Sequence, residues 1–124
     1  MATVGDLMST PPVTCPPDTS LAHAALVMQE AGIGSVVVVQ GAKVVGILTE
    51  RDVLRAAASG ADLRGSAVTE WMTPDPQSAS PDESAEEAAQ LMLLNGFRHL
   101  PVVEDREVCG VVSLRDLFAA RIRR

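Results

Sequence analysis

At 124 residues and a net charge of −6, the chain is long enough for one compact body and too acidic for a nucleic-acid surface, which needs clustered Lys and Arg. Hydrophobic residues make up 47% but aromatics only 2%, so the core must be built from Val, Leu, Ile, Met and Ala. The longest strongly apolar run, residues 36–39, is far too short to span a bilayer, and residues 1–6 lack the basic start and apolar run of a secretory signal. The expected location is therefore the cytoplasm, with Cys15 and Cys109 as reduced thiols that have no metal-ligand spacing around them.

The chain repeats itself. Shifting residues 4–60 by 64 places onto 68–124 gives 17 identities in 57 pairs without a gap. Each copy opens on a short amphipathic turn, Val4-Gly5-Asp6-Leu7-Met8 and Val68-Thr69-Glu70-Trp71-Met72. Proline-rich stretches follow, with a short extended segment expected at Val13-Thr14-Cys15. A helix comes next, because Leu21, Ala24, Ala25 and Met28 share one face, as do Ala85, Ala88, Ala89 and Met92. Ser84 and Glu87 have capping-box spacing at its start, and Gly32 or Gly96 ends it. His23 is expected to face solvent.

Residues 36–39 and 44–48, then 100–103 and 108–112, are β-branched apolar runs joined by hairpin-sized polar links. A last helix starts near Thr49 or Ser113 and is expected to bury Val53-Leu54 or Leu117-Phe118. Arg121, Arg123 and Arg124 form the one basic cluster, suited to the negative end of that helix. Each copy thus reads β-α-β-β-α, in a mixed α/β (α+β) fold, with the first spanning 1–62 and the second 63–124. The link around 60–67 is short, so the copies are expected to pack together.

The string that carries chemistry is Gly46-x-x-Thr49-x-x-Asp52 and its copy Gly110-x-x-Ser113-x-x-Asp116. A glycine at a strand end admits a ligand close to the backbone. A hydroxyl and free amides at a helix start can cradle a phosphate. A carboxylate one turn on can accept from both hydroxyls of a ribose. The same Thr/Ser-x-x-Asp spacing is also a capping box, and duplication copies caps as readily as sites.

With these strings in register, the leading Val-x-Asp/Glu-x-Met, the Pro-Asp-x-Ser before each first helix, and Asn95-Gly96-Phe97-Arg98-His99-Leu100-Pro101-Val102-Val103, nearly the whole chain resembles a CBS-domain pair, or Bateman module. The resemblance implies pseudo-twofold packing of the two units, with clefts that bind adenosine compounds such as AMP, ADP, ATP or S-adenosylmethionine. It implies ribose contacts from Asp52 and Asp116 and phosphate contacts from Thr49 and Ser113. Thr14 and Ser78 would line the adenine pocket through backbone, beside Gly46 and Gly110. Arg98 and His99, replacing Gly34 and Ser35 of the first copy, would also face phosphate; otherwise they are an exposed Arg and a His closing a strand end. Arg51 and Arg115, beside the aspartates, fit ion pairs between the units better than ligand contact. The resemblance further implies a homodimer, either free-standing or trimmed from a larger protein, with an unidentified effector protein as a possible partner.

Three function classes follow. A non-catalytic ligand sensor fits best and needs no cofactor or metal. An enzyme fits poorly, for there is no metal-spaced cluster, phosphate-binding glycine loop or nucleophile motif. A ligand-free interaction or dimerisation module is the alternative.

Overall fold

The periodicities become regular elements in the structure, a computed structural model that describes residues 2–122. In chain order these are α1 (Val4–Leu7), β1 (Thr14–Cys15), α2 (Leu21–Ala31), β2 (Ser35–Gln40), β3 (Lys43–Thr49), α3 (Glu50–Ala58), a 3-10 turn (Val68–Glu70), β4 (Thr73–Pro74), α4 (Ala85–Asn95), β5 (His99–Glu104), β6 (Glu107–Ser113) and α5 (Leu114–Ile122). They form two compact units. One is contiguous, Val13–Pro76; the other joins the residues up to Pro12 to the chain from Gln77 onward. The leading segment of each sequence repeat therefore completes the unit built on the other repeat.

In the contiguous unit the sheet order is β1-β2-β3-β4, with β1 parallel to β2 and the other pairs antiparallel. Gln40 pairs with Lys43, so the strands run further than their apolar cores and the hairpin turn shrinks to two residues. Leu21, Ala24 and Met28, the apolar stripe of α2, pack with Cys15, Val36, Val38, Leu48, Ala56 and Val68. Ser20 caps α2 by accepting from the His23 amide at 3.1 Å, and Gly32 ends it in the left-handed region at φ 66°. His23 itself is exposed.

The discontinuous unit repeats this plan. Its β5–β6 hairpin has the same register and the same irregularity, between Val102 and Val103 as between Val38 and Val39. Ala88 and Met92 of α4 pack with Val4, Ala79, Leu100, Val102, Val112 and Leu117. Ser84 caps α4 by accepting from the Glu87 amide at 3.0 Å. The expected return bond to the Glu87 carboxylate is not made among the described residues, so this cap works in one direction.

The outer pairings differ between the units. Where the contiguous unit has β1 and β4, the other has, among the described residues, isolated bridges from Ala79 to Val102 and from Ser9 to Val111. Proline accounts for this. The Val37 amide donates to the Val13 carbonyl and the Asp75 amide to the Val45 carbonyl, both at 3.1 Å. The matched residues are Pro101 and Pro11, which have no N–H to give. The Thr10 hydroxyl donates instead to the Cys109 carbonyl at 3.0 Å, the oxygen matching Val45.

One expectation is corrected. Leu54 and Phe118 are 69% and 40% exposed rather than buried. Neighbours on a helix point about 100° apart, so one of each adjacent pair must turn outward. In α3 the inward positions belong to Asp52 and Ala56, four residues apart. In α5 Leu117 takes the core position. The side chains of Arg121, Arg123 and Arg124, the expected basic cluster, lie outside the described structure.

Candidate functional site

Each candidate set is gathered at one strand-to-helix joint inside one unit. In the contiguous unit β3 runs into α3 at Thr49, which stands opposite Ser35 across the hairpin. The Thr49 amide donates to Asp52 Oδ2 at 2.9 Å, and the Asp52 amide donates to Thr49 Oγ1 at 3.3 Å. The Glu50 amide donates to the Gly34 carbonyl at 3.0 Å. Of the four amides a helix start leaves open, three are thus taken, and that of Arg51 is the fourth.

The other joint has the same construction. Ser113 and Asp116 exchange reciprocal bonds of 3.0 Å, and the Leu114 amide donates to the Arg98 carbonyl at 2.8 Å. His99 stands directly across the hairpin from Ser113. Arg98, His99, Ser113 and Asp116 therefore meet at one end of β5–β6, with Arg98 exposed and His99 half-buried. The capping boxes are real in both units. The cap engages the hydroxyl and one carboxylate oxygen at each joint, and among the described residues the broad phosphate cradle expected from free amides narrows to one amide per joint.

Thr14 and Ser78 are exposed on the segments bordering β2 and β5. Gly46 and Gly110 have a structural use within their units. A Cβ on Gly46 would collide with the Met72 side chain, and one on Gly110 would lie 2.6 Å from Met8 Sδ and 3.0 Å from the Ser9 carbonyl oxygen. The repeated Met of each leading turn thus fills the space that the repeated glycine leaves. Gly46→Ala should cost about 1–3 kcal/mol by overpacking. Met72→Ala removes all three atoms nearest that Cβ, so the two substitutions should be strongly non-additive in urea denaturation. Simple additivity would show that Met72 does not set the glycine requirement.

Two residues escaped the sequence reading. Arg55 sits one turn beyond Asp52, its guanidinium 3.3 Å from Asp52 Oδ1 and 5.9 Å from the centre of the Trp71 ring. The Asp-x-x-Arg spacing was visible, but Trp71 comes to it only through the fold. Arg51 and Arg115 are exposed, each beside the aspartate of its own joint. Burial pushes the Cys15 thiol above its ordinary range, and desolvation does the same for Cys109, helped by the charge of Glu104. Neither is poised as a nucleophile. Among the described residues no group of three His, Cys, Asp or Glu could hold a metal ion, and no helix is long and apolar enough to cross a membrane.

The CBS domain family pattern matches residues 4–59 and again 68–123, covering both joints. The chain belongs to the CBS domain family. Over 118 residues it is 36% identical to the CBS domain-containing protein YhcV of Bacillus subtilis, covering 94% of this chain and 84% of that one. The fold is that of CBS-pair structures. The CBS domain pair of protein MJ0100, solved in complex with 5'-methylthioadenosine and S-adenosyl-L-methionine, superposes with a TM-score of 0.92 at 29% identity, covering 99% of this chain and 98% of that one. CBSX2 in complex with AMP gives 0.83 at 25% identity, covering 99% and 98%.

Proposed function

We propose that this CBS pair is a non-catalytic sensor of adenosine-containing compounds, AMP, ADP, ATP or S-adenosylmethionine, acting in the cytoplasm without cofactor, metal, nucleic acid or membrane. The observation that carries the reading is the doubled joint. In both units a hydroxyl, a carboxylate and a helix start converge at one strand end, in a fold whose solved relatives hold AMP, 5'-methylthioadenosine and S-adenosyl-L-methionine. Capping leaves this possible, because a carboxylate has about four acceptor positions and the cap uses one. Asp52 and Asp116 take the ribose hydroxyls. Thr49, Ser113, Arg98 and His99 serve the phosphate end, and the backbone at Thr14, Ser78, Gly46 and Gly110 borders the base. Ligand binding biases the conformation, and an effector protein reads the bias.

A homodimer belongs to the same proposal. Leu26, Leu54, Leu93, Leu94 and Phe118 are 40–85% exposed, and Leu54 and Phe118 hold the same place in the two repeats. Large apolar side chains repeated on helix surfaces suit burial against a second copy. The same residues favour the alternative of a ligand-free dimerisation module. Melting curves separate the two. A ligand at about 100 times its dissociation constant should add roughly 2.7 kcal/mol, raising the melting point by several degrees. If AMP, ADP, ATP and S-adenosylmethionine at millimolar levels all leave it unchanged, the sensor reading fails and the dimerisation module stands.

A further inference from the structure

Asp52 and Asp116 carry the same motif but not the same surroundings. Asp52 Oδ2 accepts from the Thr49 amide, and Oδ1 faces the Arg55 guanidinium at 3.3 Å. Arg55 also lies over the Trp71 ring, so the cation is held from two sides. The residues matching Arg55 and Trp71 in the other unit are Ala119 and Leu7. Neither can pair with a carboxylate. Asp116 Oδ2 accepts from the Ser113 amide, as in the first unit.

We infer that Arg55 is an internal competitor for the ribose position of Asp52, making the contiguous unit the weaker of two adenosine sites. The inference rests on the proposed ribose role of the aspartates. A ribose diol donates two hydrogen bonds, and at Asp52 one oxygen serves the helix cap while the other serves Arg55. Binding must therefore share Oδ1 with the guanidinium and compete with the Asp52–Arg55 pair and with the seat of the cation over Trp71. At Asp116 the cap bond is the same as in the first unit, and the position matching Arg55 offers no cation. Half-exposure of the Arg55 side chain keeps the latch weak enough to open, since exposed ion pairs contribute little. The stacked ring adds to it. Site preference is thus written by one Arg-Trp contact that the duplication did not copy.

The test uses adenosine, which has no phosphate for Arg55 to attract, and calorimetry on the full chain. Asp116→Asn silences the discontinuous unit, leaving the Asp52 site to be read alone. Adding Arg55→Ala should tighten adenosine there about tenfold. Reciprocally, Ala119→Arg in an Asp52→Asn chain should weaken the Asp116 site. Trp71 is the single tryptophan, so its fluorescence should respond to adenosine in Asp116→Asn but not in Asp52→Asn. Unchanged or weaker binding in Arg55→Ala overturns the latch while leaving the sensor reading intact. Adenosine binding to no variant overturns the ribose role, and the latch with it.

Discussion

Asp116→Ala is expected to weaken adenosine binding ten- to hundredfold and to lower stability at the same time. The affinity loss follows from removing a charged acceptor, worth roughly 1.5–3 kcal/mol. The stability loss follows from the cap, because Asp116 Oδ2 accepts from the Ser113 amide at 3.0 Å. Losing half of a capping box costs about 0.5–2 kcal/mol. Sequence spacing alone set cap and site against each other as rivals. The structure shows the cap formed, so a lower melting point says nothing about the site. Asp116→Asn separates the two effects, since its amide oxygen can still accept from Ser113 while the charge is gone. Calorimetry on folded Asp116→Asn should still show the weakened binding, and unchanged affinity in both variants removes Asp116 from the site.

Leu48→Ala should lose about 2–5 kcal/mol of stability, a large share of what a domain of this size has. Leu48 is fully buried on β3, opposite Val36, in the cluster that α2 and Val68 complete. With few aromatics available, each large aliphatic side chain fills a correspondingly greater part of the core. Leu54→Ala, six residues on and 69% exposed, is the internal contrast. In a monomer it should stay within about 0.5 kcal/mol of the parent. In the proposed homodimer it should instead lower the melting point in a concentration-dependent way. Urea denaturation of both variants at two protein concentrations reads all of this; equal losses at Leu48 and Leu54 would contradict the burial assignment.

The repeat made most of the fold legible. The 64-residue shift fixed the element order twice, and the i, i+3, i+4, i+7 stripe of α2 and α4 gave the core side of each helix. Adjacent apolar pairs were less readable, because Val53-Leu54 offers two hydrophobic neighbours and only the fold says which one is inside. β4 was not legible at all. Thr73–Pro74 is two residues long inside a proline-rich stretch, and it is a strand only because β3 offers it an edge. The joint residues were found by spacing, whereas the Arg55–Trp71 contact joins residues whose proximity no local pattern encodes. Met8 and Met72 stood in plain view as repeated residues, yet their partners, Gly110 and Gly46, were read as openings for a ligand rather than as room for a thioether.

The division of the chain bears on how it comes to be folded. The unit from Val13 to Pro76 is made of one continuous stretch, so its contacts close over short loops. The other cannot be finished until the residues up to Pro12 meet those from Gln77 onward. At equilibrium that long closure is cheap, since each doubling of a loop adds only about 0.6 kcal/mol. In time it is costly, because distant pairings form late. On a ribosome, α1 would emerge before β6 and wait for that strand to be made before it could dock. A segment made before its unit is thus among the last to find its partners there, and the unit that holds Asp116 depends on both repeats being present.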